Sequence, residues 1–124
     1  MREALWTLAI GAAGFAAPAG AAPDFAGRYT QPANFYSETA VIAHVPGGAY
    51  SVKIDLDFKG CRGTVSATGR VEGESLVATA TAGGRETCRL EIRYEPPGVH
   101  VFEQGCAAHH GPKCEFSSFL KRRR

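Results

Sequence analysis

The sequence predicts an all-β domain: a small antiparallel up-and-down barrel or strongly curled sheet of about eight strands, stapled by disulfides. Three observations carry this. Apolar and polar residues alternate with a period of two in several segments, and glycine- and proline-rich turns separate those segments at short intervals. No stretch after residue 22 sustains the 3.6-residue period of a helix, so helices should be negligible. A two-sheet sandwich is the alternative arrangement of the same strands.

The chain opens on a different pattern. Met1 and Arg2 form a short positive start, tempered by Glu3, and an apolar run over residues 4–15 follows with Leu5, Trp6, Leu8 and Ile10. Small residues broken by Pro18 and Pro23 come next. This is the order of a secretory signal peptide. A spanning helix needs roughly 20 strongly apolar residues, and this run gives way to Ala, Gly and Pro before that. Ala19 and Ala21 satisfy the small-x-small rule, so cleavage is expected after Ala21, with no cysteine nearby for lipid attachment. Residues 1–21 are thus read as signal peptide and residues 22–124 as one periplasmic or secreted domain.

The strands follow in order. Phe25, Gly27 and Tyr29 share one face of the first. A second strand, about residues 39–45, precedes the Gly47-Gly48 turn. Residues 50–58 alternate without a fault, with Tyr50, Val52, Ile54, Leu56 and Phe58 inward and Ser51, Lys53, Asp55 and Asp57 outward. Residues 61–71 put Cys61, Gly63, Val65, Ala67, Gly69 and Val71 on the inner face. After the turn at residues 72–74, Ser75–Ala82 forms the next strand. Residues 88–95 then place Cys88, Leu90, Ile92 and Tyr94 inward, and Pro96-Pro97-Gly98 turns the chain into residues 99–104. The last strand carries Phe116, Ser118 and Leu120, which echo the spacing of the first. Matching terminal strands suit a sheet that closes on itself and so removes its exposed edges. The small inward residues leave space that Tyr50, Phe58 and Tyr94 are expected to fill, which argues against a large cavity.

Charge narrows the function. With 14 Lys and Arg against 12 Asp and Glu, the formal net charge is +2, too weak to imply nucleic acid. The only charge run is Lys121 to Arg124, which suits either a solvated terminus or contact with an anionic envelope surface or glycan. Asp55 and Asp57 are the nearest approach to paired carboxylates, yet they sit on a strand's wet face, and no nucleophile–base set or phosphate loop accompanies them. No enzyme activity is expected.

Cys61, Cys88, Cys106 and Cys114 are an even set in an exported chain, which reads as two disulfides. All four fall at the same end of a meander. The local pairing, Cys61–Cys88 with Cys106–Cys114, is slightly favoured. The register counted from the Pro-Pro-Gly turn instead sets Cys88 across from Cys106, leaving Cys61 with Cys114, so both connectivities stay open. The stretch CAAHHGPKC at residues 106–114 then becomes a cross-linked loop with Gly111-Pro112 setting its turn and both histidines exposed. Adjacent histidines rarely converge on one ion and oxidised sulfurs cannot ligate, so neither a metal nor another cofactor is expected. Candidate binding residues are His109, His110, Gly111 and Lys113.

Cys88-Arg89-Leu90, the Cys106, His110-Gly111 and Cys114 loop, and Phe116-x-Ser118-x-Leu120-x-Arg122 together resemble a module of small exported bacterial proteins. That module ends in a cysteine–glycine loop and an F-x-G-x-Y-x-R strand, and it accompanies domains of the LprI-like lysozyme-inhibitor kind. The likeness covers the final third of the chain, and Ser118 and Leu120 stand where the module has Gly and Tyr. The resemblance implies an envelope location and an inhibitor role, and it carries no catalytic set. Two functions follow. One is a non-enzymatic binding module, an inhibitor of a lysozyme or other envelope hydrolase, with a protein partner in the envelope or host secretions. The alternative is a small-ligand carrier using a barrel cavity. In either case a monomer is expected, with no nucleic-acid partner and no membrane segment after cleavage.

Overall fold

Alternation sets both where the strands run and which way their side chains point. The computed structural model describes residues 23–31 and 36–124; the expected signal peptide lies outside them. The strands are β1 (Gly27–Thr30), β2 (Tyr36–Val45), β3 (Ala49–Phe58), β4 (Cys61–Glu72), β5 (Ser75–Ala82), β6 (Arg85–Glu95), β7 (Gly98–Gln104) and β8 (Ser118–Arg123). Each pairs antiparallel with the next, and β8 returns to β1, so the sheet is a closed barrel. The closing register is Arg28↔Arg123, Tyr29↔Arg122 and Thr30↔Lys121. The expected barrel is therefore the fold, and a single 3-10 turn, Ala107–His109, is the helical element among the described residues.

A barrel of eight strands encloses a space that side chains fill. Val52, Ile54, Val65, Leu76, Leu90, Ile92, Val99, Val101 and Leu120 are buried there in one cluster. Each such aliphatic side chain contributes roughly 1.5–3 kcal/mol by leaving water. The aromatic filling differs from expectation. Tyr50 is buried, but Phe58 is half-buried at one rim and Tyr94 is 41% exposed at the other. Residues at strand ends reach the barrel mouths, not its middle. Two phenylalanines outside the strands take their place. Phe25 closes the end near the β2–β3 turn, edge-on to Tyr50 at 6.0 Å, and its carbonyl accepts the Tyr29 hydroxyl at 2.7 Å. Phe116 is equally buried at the opposite end.

That opposite end carries the β3–β4 turn, the β5–β6 turn and residues 105–117. Both disulfides lie there, and their connectivity corrects the favoured local pairing: the bonds are Cys88–Cys106 and Cys61–Cys114. Register is the reason. Arg89 pairs with Gln104 across β6–β7, which brings Cys88 beside Cys106. Ala80 of β5 pairs with Cys88, so a whole strand stands between Cys88 and β4, where Cys61 sits.

Candidate functional site

The loop end is built from its crosslinks upward. Cys106 ties the loop's start to β6 and Cys114 ties its far side to β4, so two strands hold one segment. Between the sulfurs, the 3-10 turn is closed by His109 N–H donating to the Cys106 carbonyl at 2.9 Å. A β-bulge between β5 and β6 at Ala80/Thr81 re-aims Thr87, whose hydroxyl lies 2.7 Å from His109 Nε2. His110 forms an isolated bridge with Gly63, and Gly111 N–H donates to the Arg62 carbonyl at 3.0 Å. Gly63 permits this approach, because a Cβ there would stand 2.5 Å from the His110 Cβ.

The loop covers a layer of polar side chains that point into the barrel mouth. Glu103 Oε1 accepts the Phe116 N–H at 2.6 Å, and its Oε2 lies 2.9 Å from His110 Nε2. The other His110 nitrogen, Nδ1, lies 2.7 Å from the Gly111 carbonyl oxygen. Both ring nitrogens thus face acceptors, which suits the imidazolium. Burial disfavours that charge, but the Glu103 hydrogen bond, the Gly111 carbonyl and the charges of Glu103 and Glu115 outweigh it and raise the His110 pKa. The His110 ring also meets Phe116 edge-on at 5.1 Å.

Glu38 lies deeper and is fully buried. Its Oε1 accepts the Ser118 hydroxyl at 2.7 Å and the Tyr36 hydroxyl at 3.2 Å, while Oε2 has no partner. Burial pushes the carboxyl up to about 7, against the lowering effect of the Ser118 and Tyr36 hydroxyls. The nearby Glu103 and Glu115 charges add to the rise. The Tyr36 hydroxyl is held high by the same burial and by Glu38, and it also reaches the Glu115 carbonyl at 2.9 Å.

The structure therefore corrects the expectation of two exposed histidines. His109 is half-buried against Thr87, and the His110 side chain is only 9% exposed. Gly111 is anchored to β4, and Lys113 is exposed on the crest beside Pro112. The opening here is a shallow depression lined by Phe58, Lys59, Arg62, Gly111, Pro112 and Lys113. Arg62 reaches Asp57 at 3.3 Å. Sequence reading misses Glu38, Glu103 and Gly63 as members of this end. Glu38 is legible in principle, since it shares parity with the inward Ala40 and Ile42, but a second strand that begins at about residue 39 stops just short of it.

Chemically the mouth can hold protons and present a fixed crest. The two His110 nitrogens are taken up by Glu103 and the Gly111 carbonyl, Glu38 is buried, and among the described residues no group of three or more metal-ligating side chains converges. Among those residues, too, no helix is long and apolar enough to cross a membrane. No family model, curated protein or solved structure matches this chain.

Proposed function

We propose that this protein is an exported, non-enzymatic binding module whose working surface is the cross-linked barrel mouth, and that its target is a lysozyme or similar envelope hydrolase. One observation carries the proposal: the segment over residues 105–117 is pinned to two different strands by disulfides and seated by His110 on Gly63. A loop ordered before docking loses little entropy on binding, and the saving appears as affinity. Two disulfides also suit an oxidising compartment. The crest presents Lys113 and Arg62 beside the apolar Pro112 and Phe58. Cations around an apolar patch complement a hydrolase cleft that holds paired carboxylates. The residues that resemble the LprI-associated module, from Cys88 to Arg122, include this same loop. The side chains packed through the barrel interior favour this surface reading over the carrier alternative.

The test is inhibition of cell-wall hydrolysis by purified residues 22–124, with a c-type and a g-type lysozyme as targets. Inhibition should be saturable and stoichiometric, and Lys113→Glu with Arg62→Glu should weaken it at least tenfold while the melting temperature holds. Absence of inhibition at any ratio, or unchanged inhibition by the double variant, would overturn the proposal.

A further inference from the structure

The register of the closing strands assembles a charged row that no single stretch of sequence displays. Arg28 on β1 pairs with Arg123 on β8 and, across its other edge, with Val41 on β2. Val41 pairs in turn with Lys53 on β3. Paired residues in a sheet point to the same face, and all four of these side chains lie on the outer wall, away from the packed interior. Lys121, opposite Thr30, adds a further cation one step along β8. The row spans three strand spacings, about 14 Å.

Two features mark this wall. Arg28 and Arg123 are like charges directly opposite one another, an arrangement that costs stability unless an anion answers it. None of Arg28, Lys53, Lys121 and Arg123 makes an ion pair among the described residues. Arg93 and Arg62 are by contrast engaged by Glu91 and Asp57. The outward Arg85 and Arg89, which also make no ion pair among those residues, stand opposite the neutral Ala82, Thr79 and Gln104 and not opposite another cation. The carboxylates on the wall's outward positions are Asp55, which accepts the Thr64 hydroxyl at 2.9 Å, and Asp57, which holds Arg62 and the Gly60 N–H. At the row's centre Val41 is 45% exposed, the most exposed large apolar side chain among the described residues.

We infer that the β8–β1–β2–β3 wall docks on an anionic, phosphate-rich lipid surface. The cations attract headgroup phosphates, and long Lys and Arg stems lie flat while their charges reach the headgroups. Val41 distinguishes a bilayer from a soluble polyanion, because an exposed apolar group between cations has use at an interface with acyl chains beneath it. This wall is separate from the barrel mouth, so docking leaves the cross-linked loop free.

Residues 22–124 are mixed with vesicles of phosphatidylcholine alone and with vesicles that also contain phosphatidylglycerol, and bound protein is measured by sedimentation. Binding should require phosphatidylglycerol and fall as salt shortens the screening length toward about 3 Å near 1 M. Each cation near such a surface is worth about fivefold in partitioning, so Arg28→Gln with Lys53→Gln should lower it about 25-fold. Val41→Asn should lower it several-fold without changing its salt dependence. Arg89→Gln with Arg93→Gln, on the far wall, should leave it unchanged. Equal binding to neutral vesicles, an unaffected Arg28–Lys53 variant, or an equal loss in the far-wall variant overturns the inference. So does capture of soluble polyphosphate by protein that ignores the vesicles.

Discussion

Replacing Glu38 by Gln should make the barrel more stable at alkaline pH and leave it nearly unchanged in acid. Glu38 ionises near 4.5 when solvated and near 7 in the folded barrel. The folded state therefore binds the proton more tightly than the unfolded chain does. Between those two values the folded state holds more protons, so stability falls as pH rises through the window and levels off above it. The difference, at about 1.4 kcal/mol per pH unit, is on the order of 3 kcal/mol. A glutamine at this position would resemble the protonated acid in charge and shape. Its carbonyl oxygen can still accept the Ser118 and Tyr36 hydroxyls, and its amide takes the place of the partnerless Oε2. At about pH 8 the variant should gain up to about 3 kcal/mol, and at about pH 4 the two proteins should coincide. Urea unfolding from about pH 4 to about pH 9 reads this directly. His110 leaves a smaller slope in the variant. Its folded pKa is raised, so its contribution is present below the ordinary histidine value and is lost as pH rises through the folded one. Parallel stability curves for the two proteins, or a variant that is the weaker of the two in alkali, would refute the account of Glu38.

Two further outcomes test the scaffold. Ile54→Asp should cost several kcal/mol, because it buries a carboxylate at a position with no exposure, whereas Asp55→Ser should stay within about half a kcal/mol; equal thermal shifts would contradict the strand's facing. The unreduced domain should show no reactive thiol on denaturation. Of the two bonds, loss of Cys61–Cys114 (separation 53) should cost about 4 kcal/mol and loss of Cys88–Cys106 (separation 18) about 3, as paired Cys→Ser variants would show in urea. The reverse order would mean that loop-closure entropy is not what these bonds supply.

Sequence alone determined the walls of this protein. A period of two is a local property, so the facing of Val52, Ile54 and Leu56 could be read from β3 without knowing what lay across from it. The echo of Phe25-x-Gly27-x-Tyr29 in Phe116-x-Ser118-x-Leu120 likewise marked β1 and β8 as closing partners, though not the two phenylalanines as plugs for opposite ends. The register counted from the Pro-Pro-Gly turn already set Cys88 across from Cys106, but the choice between the two connectivities, and most of what depends on which residues meet across strands, waited for the tertiary structure. Cys88 could face Cys61 or Cys106 until β5 was placed between β4 and β6. His110 looked like an exposed loop residue until Gly63, distant in sequence, provided a gap in which it could sit and Glu103 an acceptor for its Nε2. Arg28, Lys53 and Arg123 are ordinary surface cations one at a time and become a row only through barrel register. Side-chain direction is encoded over two residues, whereas register is a sum of turn lengths, bulges and closure around the whole barrel, and only the folded chain performs that sum.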